Sequence, residues 1–223
     1  MIYCVIFDTK ERENSIIKKN DCRALRQSVP YLPQNILEYV ASAKNDLSRA
    51  EREAAYTSLF VALKAFFDIE NPTLSHENGK KPTITSHNIF FNISHSDGIA
   101  VVSLSDNCDL GVDIQTDPDD LMKKRLEKRF LSDLDPESEE LEIDFYLLEK
   151  NEGDLLLSGI LCEQNNSEFS DKWTAMESVM KLYGDGFSAL PRLNELSTKS
   201  TTNIVNIRIA DKRYSISNSI KNG

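Results

Sequence analysis

Three short stretches of this chain carry residue types that do chemistry together: Asn92-Ile93-Ser94-His95-Ser96, Gly111-Val112-Asp113, and the run from Trp173 through Glu177 to Lys181. They supply a histidine flanked by serines, one acid, and an acid paired with a lysine. Carboxylates hold a hard divalent cation through oxygen. A lysine and a histidine beside them neutralise and hydrogen-bond phosphate oxygens. The set suits a metal-bound pyrophosphate. Glu177 and Lys181 stand four apart and project from one helix face, while Trp173, Met176, Met180 and Tyr183 form an adjacent apolar stripe. Alone, such a pair is an exposed ion pair worth about 0.3 kcal/mol. Together and in this order, the three motifs define a site.

These motifs need elements to position them. A strand is expected at about 2–7, followed by a stretch containing Pro30 and Pro33 and then a long helix. Leu47, Ala50, Ala54, Leu59, Ala62 and Phe66 recur at three- and four-residue steps along that helix, Ser48-x-x-Glu51 reads as a capping box at its start, and Arg49 and Arg52 share one face. After the turn-rich Glu77 to Pro82, three β-rich runs follow: Ile89 to Ser94, Gly98 to Ser105 and Asp109 to Gln115. In the third, Leu110, Val112 and Ile114 alternate with Gly111, Asp113 and Gln115, which puts Asp113 on the polar side of a strand whose other face is core. The short Ser105 to Cys108 connection predicts a hairpin between the second and third runs. Further on, the pattern predicts a helix at about 119–131, strands around 144–149 and 154–163, a helix from about 171 to 183, and a final hairpin at about 203–209 and 213–217. Each half thus reads as a long helix flanked by antiparallel strands. The expected fold class is α+β, in two similar subdomains, 1–106 and 107–223.

Composition sets the frame. A chain of 223 residues, 40% hydrophobic and 28% charged, is long enough for one large domain or two small ones. Cys4, Cys22, Cys108 and Cys162 are scattered, which indicates neither a disulfide framework nor a zinc site. A reducing cytoplasm is the expected location; the apolar N-terminus reads as a first strand rather than a signal peptide, and nothing approaches a transmembrane length. A formal net charge of −10 argues against nucleic acid as the main ligand. Charge is segmented, however. Lys123, Lys124, Arg125, Lys128 and Arg129 form a basic run, and seven acids follow between Asp133 and Asp144.

With Gly79-Lys80-Lys81-Pro82 ahead of Asn92-Ile93-Ser94-His95-Ser96, then Gly111-Val112-Asp113 and Trp173-x-x-x-Glu177-Ser178-x-x-Lys181, the chain resembles the Sfp-type 4'-phosphopantetheinyl transferases over nearly its whole length. The resemblance implies a monomeric enzyme of two α+β subdomains related by a pseudo-twofold axis. Its reaction moves the phosphopantetheine arm of coenzyme A onto a serine of an acyl, aryl or peptidyl carrier protein and releases adenosine 3',5'-bisphosphate. Such an enzyme serves fatty-acid, polyketide or non-ribosomal peptide synthesis.

Carried over residue by residue, the resemblance implies that Asp113 and Glu177 hold Mg²⁺ on the coenzyme A pyrophosphate. Lys181 would lie along the phosphates, and His95 with Ser94 would donate hydrogen bonds to one. Lys81 and Pro82 match the family's basic loop, with Lys80 as the substitute of Lys81. Lys44-x-Asp46-x-x-Arg49 matches the basic segment near the 3'-phosphate and adenine. Arg129 to Asp135 resembles the segment whose glutamate deprotonates the carrier serine, which assigns Asp135 as the base with Glu137 behind it. The basic run from Lys123 to Arg129 would face an acidic carrier protein.

Three positions depart from the pattern. Met176 stands where the family motif has lysine, Gln115 where many members have a third acid, and Lys80 is an extra lysine in the loop. A non-catalytic coenzyme A- or carrier-binding relative is therefore the competing expectation. A metal-dependent phosphohydrolase would also use paired carboxylates and a lysine, but it accounts for neither the Asn92 to Ser96 segment nor the Lys81-Pro82 loop.

Overall fold

The computed structural model describes residues 1–10, 25–75, 80–116, 123–124, 139–164 and 169–222. Two sheets pack face to face, with a long helix on the outer side of each. The six-stranded sheet contains β1 (Ile2–Asp8), β2 (Leu25–Ser28), β5 (Phe90–Ser96), β6 (Ile99–Ser105), β8 (Ile143–Asn151) and β9 (Asp154–Gly159), in the order β2-β9-β8-β1-β6-β5. The four-stranded sheet runs β10 (Glu163–Gln164), β11 (Ser200–Ile209), β12 (Lys212–Lys221), β7 (Leu110–Thr116). A small hairpin pairs β3 (Leu74–Ser75) with β4 (Thr83–Ile84). Every pairing is antiparallel except β1 with β8. The architecture is α+β, and the larger sheet draws strands from both sides of residue 106.

The period-2 alternation of β1 explains its central place. Val5 and Phe7 face the helical layer, whereas Cys4 and Ile6 face the second sheet, where they meet Val112, Ile114, Val205, Ile207 and Ile216. On the first layer, α1 (Gln34–Ala41) and α2 (Asp46–Phe67) cover the large sheet through Ile36, Ala55, Leu59, Ala62 and Leu63, all at most 1% exposed. Helix α2 starts at Asn45, whose side chain accepts a hydrogen bond from the Ser48 amide at 2.8 Å. The expected capping box at Ser48 and Glu51 does not form. Helix α1 lies outside the sequence expectation.

The expected hairpin between β6 and β7 is also corrected. Both edges of β6 are already taken, by β1 and β5, so the chain crosses at 106–109 into the second sheet, and β7 pairs with β12, Asp113 opposite Ser217. Helix α3 (Phe169–Tyr183) lies on that sheet across β7 and β12. A 3-10 helix (Gly186–Arg192) and α4 (Leu193–Thr198) follow, and the apolar stripe of α3 packs against them rather than against the sheet. Of the helix expected at about 119–131, only Lys123 and Lys124 are described, and both are helical.

One topology occurs twice. β1 pairs with β6, the second strand of the hairpin that follows α2, and β7 pairs with β12, the second strand of the hairpin that follows α3. Helix α2 packs on β6, β1, β5 and β2, and α3 packs on β7, β12 and β11. No described helix is long and apolar enough to cross a membrane.

Candidate active site

Close contact between α3 and β7 builds the site. Gly111 lies directly under the helix, where an added Cβ would stand 2.0 Å from the Ser178 carbonyl oxygen and 2.5 Å from the Leu182 amide nitrogen. Only glycine permits that approach. Small polar residues complete the interface: the Ser178 hydroxyl meets those of Ser217 and Ser219 at 2.9 and 2.7 Å. At the helix N-terminus, Arg213 donates to both Asp171 oxygens at 2.9 Å, in a buried pair that fixes how α3 sits on the sheet.

Two residues along the strand from Gly111, Asp113 points to the same face and is fully buried. The polar side of β7 is thus covered by α3 rather than solvated. Lys181 donates to Asp113 Oδ1 at 2.5 Å and to Ser94 Oγ at 2.8 Å, while Ser94 donates to the same Oδ1 at 2.7 Å. Gln115 donates to Asp113 Oδ2 at 3.3 Å. Glu177, one turn before Lys181 on α3, contacts both Asp113 and Gln115. Burial and then the Asp113 charge push the Glu177 carboxyl up to about 7, against the opposing pull of Lys181. Glu177 thus stands beside a second carboxylate, that of the buried Asp113, and a divalent cation would neutralise the charge of the pair. Among the described residues no group of three His, Cys, Asp or Glu side chains could hold a metal. Mg²⁺ commonly takes one or two carboxylates and fills its remaining positions with phosphate oxygens and water. By the chemistry of the donor set, Asp113 and Glu177 fit that ion, with Gln115 beside them.

Next to this pair opens a cavity of about 390 Å³, within the range of small-molecule sites. All the charged side chains in its wall are cations or a histidine: Arg52, Lys80, Lys81, His95 and Lys181. Pro82, Tyr39 and Tyr56 contribute apolar surface. Arg52 lies over the Tyr39 ring at 4.4 Å and donates to the Tyr39 carbonyl at 3.0 Å. Lys81 is anchored by Asp109 at 2.5 Å and the Leu110 carbonyl at 2.6 Å, and burial holds its ammonium below the usual lysine range. A wall of this charge accepts a polyanion.

Of the residues expected at the site, Lys81, Pro82, His95 and Lys181 line the cavity, and Ser94, Asp113 and Glu177 stand behind that wall, joined to it through Lys181. Lys44 and Arg49 are not in the cavity wall. Both are exposed, and Arg49 pairs with Asp46 at 3.2 Å. Asp135 and Glu137 lie outside the described residues, as do Arg125, Lys128 and Arg129. Lys124 is exposed, and the Lys123 ammonium lies 5.9 Å from the centre of the Phe169 ring. Met176 does not line the cavity. It is 3% exposed, in an apolar cluster with Trp173, Met180, Ala189, Leu193 and Leu196.

Two site residues escape a reading of the motifs. Arg52 follows Arg49 by nearly one turn, and only the packing of α1 on α2 shows which of the two faces the cavity. Glu51 is buried in α2 and accepts from the Gly98 amide at 2.6 Å, while His95 Nδ1 lies 2.9 Å from its other oxygen. The signal in the sequence was an acid on the apolar face of a helix, between Leu47 and Ala54. No protein-family model matches the chain, and no curated protein matches it.

Proposed function

We propose that the chain is a monomeric 4'-phosphopantetheinyl transferase that transfers the phosphopantetheine arm of coenzyme A to a serine of an apo carrier protein. The observation that carries this reading is the placement of the Asp113, Glu177 and Lys181 cluster against a cavity whose charged wall is cationic. A compound with two separated phosphate groups and a long neutral arm suits such a wall. The duplicated strand, helix and hairpin topology supports the finer fold assignment, two subdomains related by a pseudo-twofold axis.

In this reading the carrier serine attacks the β-phosphorus of coenzyme A, the bond to the bridging pyrophosphate oxygen breaks, and adenosine 3',5'-bisphosphate leaves. Asp113 and Glu177 would hold Mg²⁺, which would supply neutralisation of the pyrophosphate charge. Lys181 places an ammonium where charge develops on the leaving oxygens, and the buried Asp113 fixes its position. Ser94 locks that contact from the strand side. Arg52, His95, Lys80 and Lys81 bind and orient the remaining phosphate oxygens. Asp135, or Glu137 behind it, accepts the serine proton. Met176 takes no part, so the cavity cations must supply any charge that a lysine there would add.

The test incubates the protein with Mg²⁺, coenzyme A and a panel of apo carrier proteins and reads intact carrier mass. The expected result is addition of one phosphopantetheine, lost in Glu177→Ala. Coenzyme A binding without a mass shift on any carrier would replace this reading with a binding-only relative.

A further inference from the structure

The mechanism leaves a buried carboxylate unexplained. Glu51 is 5% exposed, in the second turn of α2, and reaches the turn that joins β5 to β6. One of its oxygens takes the Gly98 amide at 2.6 Å, and the other lies 2.9 Å from His95 Nδ1. A carboxylate accepts only, so the Nδ1 that meets it carries the proton. In a neutral ring, Nε2 is then an acceptor. His95 lines the cavity, and among the described residues the structure gives its ring no other hydrogen bond.

With Nδ1–H held by Glu51, the other face of the ring lies among cations of the cavity wall, an arrangement complementary to a bound anion. The groups facing His95 are Glu51 and Arg52 from α2 and Lys181 from α3. Tyr39, Tyr56, Lys80 and Lys81 line the same cavity. Burial first, and then Lys181 and Arg52, hold the ring below the ordinary histidine range, while Glu51 opposes them. A neutral His95 with Nδ1–H in Glu51 offers an anion a lone pair. An entering phosphate offsets the repulsion from Lys181 and Arg52 and provides an acceptor on the Nε2 side, and Glu51 already compensates the other side.

We propose that Glu51 is a positioning residue for the anion site: it orients His95 so that the ring takes a proton from solvent as a phosphate enters, and then joins Glu51 through Nδ1–H to the phosphate through Nε2–H. The proposal rests on reading the cavity as a phosphate site, and it requires no particular reaction there. Glu51→Gln separates charge from hydrogen bonding. The amide oxygen can keep the Gly98 contact while its NH₂ donates to Nδ1, which moves the ring proton to Nε2 and removes the charge that stabilises an imidazolium.

The chain has three histidines, so ¹⁵N-histidine spectra resolve His95 once it is assigned with His95→Gln. Inorganic pyrophosphate and coenzyme A, titrated separately at pH 7.5, serve as probes. The expected result is a neutral Nδ1–H ring in the free protein, an imidazolium at saturation, and in Glu51→Gln a ring that stays neutral with a Kd raised about tenfold, the difference between a charged and a neutral hydrogen bond. Coenzyme A binding with His95 neutral at saturation would overturn the proposal and leave the transferase reading standing. Pyrophosphate binding with the imidazolium formed, but no coenzyme A binding, would sustain the proposal and remove the transferase. Binding of neither would remove both. If Glu51→Gln does not fold, the wild-type spectra decide alone.

Discussion

Gly111 and Ser178 are in such close contact that a single β-carbon on the strand would collide with the carbonyl oxygen of the helix at 2.0 Å. The collision is with backbone, so no rotamer change relieves it. Gly111 sets the distance from which Glu177 and Lys181 reach Asp113, and the glycine of the Gly-Val-Asp motif serves as spacer for the acid two residues later.

Gly111→Ala should therefore lift or tilt α3. We expect a loss of about 3 kcal/mol and a loss of transfer activity greater than that of a variant equally destabilised in the α2 layer, such as Leu59→Ala. Chemical denaturation and the carrier mass assay on both variants check this.

Lys181 compensates a carboxylate that is 1% exposed while remaining 31% exposed itself. Lys181→Met leaves Asp113 buried without its cation. The expected cost is about 2 kcal/mol, below the figure for a fully buried pair because solvent reaches the lysine. Lys181→Met/Asp113→Asn should recover most of the stability and none of the activity. Recovery of activity in the double variant would remove both residues from the chemistry.

Glu177 gives the protein a pH signature. Its folded carboxyl is raised to about 7, above the ordinary range of the unfolded chain near 4.3. The folded state therefore binds more protons between those values, and stability contributed below pH 4 is lost as pH rises through 7. Thermal midpoints of the metal-free protein should fall from pH 5 to pH 8, and those of Glu177→Gln should fall less. Mg²⁺ should bind more tightly at pH 8 than at pH 6, releasing a proton as it does. A pH-independent Mg²⁺ affinity would separate Glu177 from the metal.

Met176→Lys would introduce the lysine of the motif that the sequence resembles but place an ammonium among Trp173, Met180, Leu193 and Leu196. Burying an unpaired cation there should cost about 3 kcal/mol without raising the transfer rate. Faster turnover in this variant would mean that α3 can turn its stripe toward the cavity.

The sequence by itself determined the strands that carry Ser94, His95 and Asp113, and the helix that carries Glu177 and Lys181. It also determined which residues of each element share a face. These are local properties, set by periods of 2 and 3.6 residues. It also supported an α+β class. Only the tertiary structure decided that β7 leaves β6 for the second sheet, because both edges of β6 are taken by strands from elsewhere in the chain. The same kind of long-range packing buries both faces of β7, puts Arg52 rather than Arg49 on the cavity, and turns Met176 away from it. Glu51 shows the limit most plainly. As a sequence it reads as the last residue of a capping box, and it becomes His95's partner only because α2 crosses the β5–β6 turn, 47 residues away from Glu51 at Gly98. A pattern within one element cannot encode which other element it will meet; that depends on the packing of all of them at once.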